Sequence, residues 1–154
     1  MRLSTLCLLL KDDKILLAMK KRGFGAGKWN GVGGKVKGDE SVIQASTREL
    51  NEEIGVIGSE NDFKKMGVLR FYFNGKPDWN QEMHIFTLQS WKGEPGESEE
   101  MLPQWYRYAE IPFEKMWIDD PYWLPAVLKG KAVEGEFYFN GDGSKIEKFG
   151  LKEV

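Results

Sequence analysis

The chain has 154 residues, 41% of them hydrophobic, with a formal net charge of −2. This fits one domain, residues 1–154, able to bury a core, and argues against a nucleic-acid polymer or an anionic membrane as partner. No apolar run approaches the roughly 18 residues of a membrane span. The single cysteine, Cys7, excludes an internal disulfide framework, and the start MRLSTLCLLLKDDK lacks the cleavage pattern of a leader, so a cytoplasmic setting is expected.

In chain order, the apolar run from Leu3 to Leu10, the polar KDDK and then ILLAMK predict a β-hairpin. Gly23 to Gly38 is dense in glycine and predicts turns with little strand. DESVIQASTRELNEEI follows, free of Gly and Pro until Gly55, and predicts a helix with a glycine stop. KKMGVLRFYFNG and QEMHIFTLQSW read as strands, and PQWYRYAEI as another. Asp119-Asp120-Pro121 predicts a helix start, with an aspartate cap and proline in the first turn. The last segment, GEFYFNGDGSKIEKFGLKEV, predicts a hairpin turning at NGDG. Hairpins and helices in one domain imply a mixed sheet carrying helices.

On a helix, Ile43, Leu50 and Ile54 share one stripe, while Glu49, Glu52 and Glu53 share another at i, i+3 and i+4. Clustered carboxylates repel each other, and few lysines stand at helical spacing to relieve them. A hard divalent cation would, because it takes oxygen ligands. The preceding loop holds Lys20, Lys21, Arg22, Lys28, Lys35 and Lys37 with no acid between them. A basic glycine loop running into an acidic helix is the pairing expected for a metal-bound polyphosphate.

GGKVKGDESVIQASTRELNEEIGV carries, in order, Gly34, Glu40, Arg48-Glu49-Leu50, Glu52-Glu53 and Gly55-Val56. At every defined position it resembles the box of the Nudix hydrolase superfamily. MKKRGFGAGKWNG, IPFEKMW and the closing EV are similar to animal-type MutT homologues, the oxidised purine nucleoside triphosphatases, over nearly the whole chain. The resemblance implies a Nudix fold, an α/β/α sandwich around a mixed β-sheet. It implies hydrolysis of a modified purine nucleoside triphosphate (8-oxo-dGTP or 2-oxo-dATP type) to monophosphate and pyrophosphate. Mg²⁺ is the implied cofactor, with Mn²⁺ as its substitute, and a monomer is expected.

By matched position the resemblance assigns metal ligation to Glu49, Glu52, Glu53, Glu100 and the Gly33 carbonyl. Arg48 orients the glutamates and Glu53 activates water. Lys20 lies near the phosphates, and Gly34 and Lys35 also count as substrate-binding. Thr5, Asn30, Phe24, Phe71, Phe73, Trp117, Asp119 and Asp120 line the base pocket. Departures from the family pattern are Ile118 for a proline, Val32 for a phenylalanine, and one extra residue in PDWNQEMH, where Trp79 falls; all three are expected near that pocket. His84 is expected to pack in the sheet, and Trp91, Trp105 and Trp123 in the core. The competing readings are a Nudix hydrolase of a dinucleotide, nucleotide sugar or capped RNA, and a binding module without turnover, which would be expected to lack box glutamates.

Overall fold

The computed structural model describes all 154 residues. Strands β1 (Arg2–Lys11) and β2 (Lys14–Lys20) form the predicted hairpin. Its turn residues Asp12 and Asp13 both sit at positive φ, 52° and 60°, the tight geometry that matches strand twist. The glycine-dense segment is less bare of strand than expected, since β3 (Trp29–Asn30) pairs with β2 and β4 (Val32–Lys35) pairs with β1. Gly33 explains the second pairing: a Cβ there would collide with the Thr5 carbonyl.

Helix α1 (Val42–Ile54) begins with a reciprocal cap in which the Ser41 hydroxyl accepts from the Gln44 N–H and the Gln44 side chain accepts from the Ser41 N–H. It ends at Gly55, where φ is 71°. Then come β5 (Phe63–Phe73), β6 (Gln81–Leu88), β7 (Met101–Arg107), α2 (Asp120–Leu128), β8 (Val133–Phe139) and β9 (Ile146–Glu153). The strand read through PQWYRYAEI stops at Arg107, and the chain turns at Tyr108–Glu110.

The sheet runs β3-β2-β1-β6-β5-β8-β9, with β4 also on β1 and β7 also on β2. The β1–β6 and β5–β8 pairs are parallel and the others antiparallel, so the sheet is mixed. Alternation along β1 builds two cores. Leu6, Leu8 and Leu10 face Trp123, Leu124 and Val127 of α2, while Cys7 and Leu9 face Leu50 and Ile54 of α1. Each such fully buried side chain contributes roughly 1.5–3 kcal/mol. One helix therefore covers each face, giving the α/β/α sandwich.

The tripeptide Phe-Tyr-Phe occurs twice, at 71–73 and 137–139, and the parallel β5–β8 register sets the copies side by side. Phe71 stacks on Phe137 at 5.8 Å and Phe73 on Phe139 at 5.0 Å, making an aromatic floor on the α2 face. Cys7 lies in the other core, where burial pushes its thiol up to about 12, so it behaves as a small hydrophobe. No helix is long and apolar enough to cross a membrane.

Candidate active site

The acidic stripe of α1 is organised by one arginine. Arg48 donates twice to Glu40, at 2.6 and 2.9 Å, and also to Glu49 at 2.9 Å, Glu52 at 3.2 Å and the Lys35 carbonyl at 3.0 Å. Its hydrogen bonds hold the Glu40 carboxyl down at about 2. The guanidinium thus ties the glycine loop to the helix and neutralises part of the stripe. Gly34 lets Glu49 come close, because a Cβ on Gly34 would collide with the Glu49 carboxylate.

Glu53 is left out of this network. Its Oε2 is buried with no hydrogen-bond partner. Burial, then the charges of Glu49 and Glu100, push its carboxyl up to about 7 against the pull of Lys20. Such a group suits a cation ligand or a proton acceptor at neutral pH. Glu100 arrives from the loop before β7, held by Arg22, with its carboxyl below the usual range. The same loop is tied down by Lys21, which donates to Glu97 and to the Ser98 carbonyl.

The expected ligand set is therefore gathered only in part. Glu49 and Glu100 both act electrostatically on Glu53, but no three carboxylates close into a single cluster. The reason is visible in the ion pairs: Arg48 draws Glu49 and Glu52, and Arg22 draws Glu100. The donor set still fits a hard divalent cation, being all oxygen, and it includes the buried, unpartnered Glu53 Oε2.

Beside this stripe opens a cavity of about 210 Å³. Phe71, Phe73 and Phe139 form its floor, and Phe24 and Trp117 its rim. Lys20, Asn30, Gly33 and Gly34 line the side toward α1, and Asp119 and Asp120 the side toward α2. Phe24 is 49% exposed and wedged between Trp117 at 5.1 Å and Trp79 at 5.0 Å. Asn30 Oδ1 accepts from the Gly31 N–H at 2.8 Å, which leaves its NH₂ free to donate.

Asp119 and Asp120 are only 4% and 3% exposed. Asp120, the expected cap before Pro121, is instead the first residue of α2, and Asp119 at the cap position makes no side-chain cap bond, so the expected aspartate cap is overturned. Asp119 Oδ2 instead accepts from Trp123 Nε1 at 2.8 Å. Burial pushes Asp119 up to about 6, with Trp123 opposing. Burial and the neighbouring Asp119 push Asp120 well above the usual range. Asp120 Oδ2 has no partner in the chain.

Two residues assigned to substrate binding lie elsewhere. Thr5 is buried but does not line the cavity, because it shares the α1 face of β1 with Cys7 while Leu6 faces inward. Lys35 is exposed at the end of β4, and only its carbonyl takes part, as an acceptor for Arg48. Of the departures, Ile118 lies near the cavity as expected, in the adjoining cleft shared with Phe24 and Trp117, whereas Val32, between the lining glycines Gly31 and Gly33, turns its side chain into the α1-side core. Trp79 backs Phe24 and Phe73 from outside. His84 does pack in the sheet, between Lys65 and Glu82. Sequence reading missed Leu6, Gln81, Met83, Met101 and Phe139 in the lining. The repeated Phe-Tyr-Phe was the signal available for Phe139.

Residues 1–127 match the Nudix domain. The chain is 46% identical over 153 residues to the oxidized purine nucleoside triphosphate hydrolase of Mus musculus, covering 99% of this chain and 96% of that one. The protein of the same name from Danio rerio is 45% identical over 146 residues, covering 95% of this chain and 92% of its own. Among solved structures, the MutT protein of Bacillus halodurans superposes with a TM-score of 0.85 over 99% of this chain and 98% of that one, at 24% identity, which is a likeness of fold.

Proposed function

Because the chain belongs to the Nudix family, we propose that it is a pyrophosphohydrolase of oxidised or modified purine nucleoside triphosphates, releasing monophosphate and pyrophosphate. The observation that carries this reading is the juxtaposition of an aromatic cavity ending in a buried acid pair with the acidic face of α1. Nudix hydrolases typically use a divalent metal. We assign Mg²⁺, with Mn²⁺ as substitute, to Glu49, Glu52, Glu53, Glu100 and the Gly33 carbonyl. When bound, such an ion screens phosphate charge and lowers the pKa of coordinated water.

The chain's own residues then divide the work. Phe24, Trp117 and the phenylalanine floor hold a flat base by its faces. Asn30 and the aspartate pair address its edge. Lys20, on the cavity's α1 side, supplies positive charge toward the phosphates. Glu53, held near neutrality, accepts a proton as water attacks. Arg48 fixes Glu49 and Glu52 without entering the chemistry. Positioning and charge stabilisation are what phosphoryl transfer asks of a protein. A cytoplasmic monomer completes the proposal.

The test is a panel of oxidised, methylated and unmodified purine triphosphates, dinucleotides, nucleotide sugars and capped RNA, with Mg²⁺, read by release of pyrophosphate or nucleoside monophosphate. Oxidised purine triphosphates are expected to give the highest kcat/KM. Preference for a dinucleotide, sugar or cap would overturn the substrate, and absence of any turnover would overturn the enzyme.

A further inference from the structure

Gln81 opens β6 and lines the cavity beside Phe71, to which it is paired across β5 and β6. Its side chain is held at one end: Ser4 Oγ donates to Gln81 Oε1 at 2.9 Å. Ser4 is itself buried, and Gln81 is its hydroxyl's partner. The backbone is anchored next door, where Asn80 Oδ1 accepts from the Phe73 N–H at 2.8 Å. With its oxygen engaged, the amide turns two N–H donors away from Ser4, and neither bonds to any group of the chain. Asn30 is arranged alike, its oxygen taken by Gly31 and its NH₂ free. Two amides in an otherwise aromatic and acidic cavity are thus both oriented as donors.

Gln81 and Asn30 are only partly buried, so these donors reach water until a ligand enters; a ligand that displaces that water must supply acceptors, since an N–H left unpaired on binding is costly. The aspartates can accept but lie toward α2, and no bond joins them to Gln81. We infer that Gln81 is a specificity-determining residue whose amide N–H donates to a ring carbonyl of the bound purine. This rests on the proposed purine substrate and deepens it. An added ring carbonyl is what distinguishes an oxidised purine from its parent, and an oriented amide donor rewards that feature. An amino group at the same place would set donor against donor. Selection would then come from both ends of the cavity, with the acid pair reading one edge and Gln81 sensing a carbonyl.

The experiment measures binding without turnover, by titrating the protein with purine deoxynucleoside monophosphates and following tryptophan fluorescence. Pairs differing by one carbonyl are compared: guanine with 8-oxoguanine, and adenine with 2-oxoadenine and with 8-oxoadenine. The parent chain is expected to prefer the carbonyl-bearing member. Gln81→Met removes the donor, and Gln81→Glu sets an acceptor against the carbonyl. Each is expected to reduce that preference about three- to tenfold in at least one pair, the worth of one hydrogen bond, with Gln81→Glu the stronger. Ser4→Ala, which frees the amide to turn, should shift the preference in the same direction by less. Preferences unchanged in all three variants, or affinity lost equally for every ligand, would overturn the role of Gln81 alone. Failure of the parent chain to bind any purine would overturn both this inference and the substrate reading.

Discussion

Asp120→Asn should make this protein more stable and less active at once. Both aspartates are buried, and no cation pairs with either. Their carboxyls are raised in the folded chain, so the fold binds protons more tightly than the unfolded chain does. Stability from this source is full below the ordinary aspartate value and is lost as pH rises. For Asp119 the loss runs from about 3.8 to about 6, roughly 3 kcal/mol in all. Asp120 titrates higher and extends the loss further. Glu53, raised to about 7, adds in the same direction, so Glu53→Gln is the right background. Glu40, held near 2, acts in the opposite sense and only below its ordinary value of 4.5. Asn at 120 keeps shape, can still donate to Asp119, and never ionises. The assay is urea unfolding from pH 4 to 9. In the Glu53→Gln background stability should fall across this range, and adding Asp120→Asn should remove the upper part of the fall. Kinetics of the same variant, with Glu53 intact, should show kcat/KM for oxidised purines reduced well beyond any change in Tm and the ranking among purines altered. A flat stability profile in the parent, or wild-type kinetics in the variant, would refute the argument.

Glu53→Gln keeps the side chain's shape and removes its charge, and turnover should fall at least about a hundredfold while the protein stays folded with a Tm no lower than the parent's; near-normal turnover would remove Glu53 from its role. A chelator should abolish hydrolysis and Mg²⁺ restore it, measured by pyrophosphate release, since the donors are all oxygen; full activity in chelator would end the metal assignment. Trp79 packs edge-on against Phe24 at 5.0 Å and against Phe73 at 5.5 Å. Trp79→Ala should raise KM roughly two- to tenfold with kcat unchanged, the scale of one aromatic pair, and Trp79→Phe should recover most of it; an unchanged KM would show that Trp79 only fills space.

The acidic helix was legible because its information is local. Glu49, Glu52 and Glu53 share a face by helical period alone, and Gly55 marks the stop. The cavity was not legible that way. Phe24, Phe71, Trp117 and Phe139 come from four distant segments, and only the sheet order brings them together. Family resemblance supplied three of the four, and strand register explains where it misled. A strand turns each successive side chain to the opposite face, so Thr5 and Leu6 differ by one position and by which side of the sheet they serve. Gln81 carries no local sign of its role. It is an ordinary polar residue at a strand start until Ser4, 77 positions away, is seen to hold its oxygen.

The molecule gathers like charges twice and resolves them differently. Around α1, Arg48, Arg22 and Lys20 all stand among the glutamates, and Glu53 is the one carboxyl they leave unpaired. Partial neutralisation by fixed cations leaves room for one more positive charge, so a metal ion suits that site. Lys20 and Lys28 line the same cavity, but no basic side chain pairs with Asp119 or Asp120, and the one donor bonded to the pair is the indole N–H of Trp123, on Asp119. A neutral donor cannot cancel two buried negative charges. The remaining way to relieve the pair is a proton, held on Asp120 while Asp119 accepts from Trp123. A protonated carboxyl donates and an ionised one accepts, so under the proposed function the pair would present both to a purine edge. On the proposed function, the α2-side site reads hydrogen-bond pattern, the α1-side site holds charge, and the cavity between them is where a nucleotide would satisfy both.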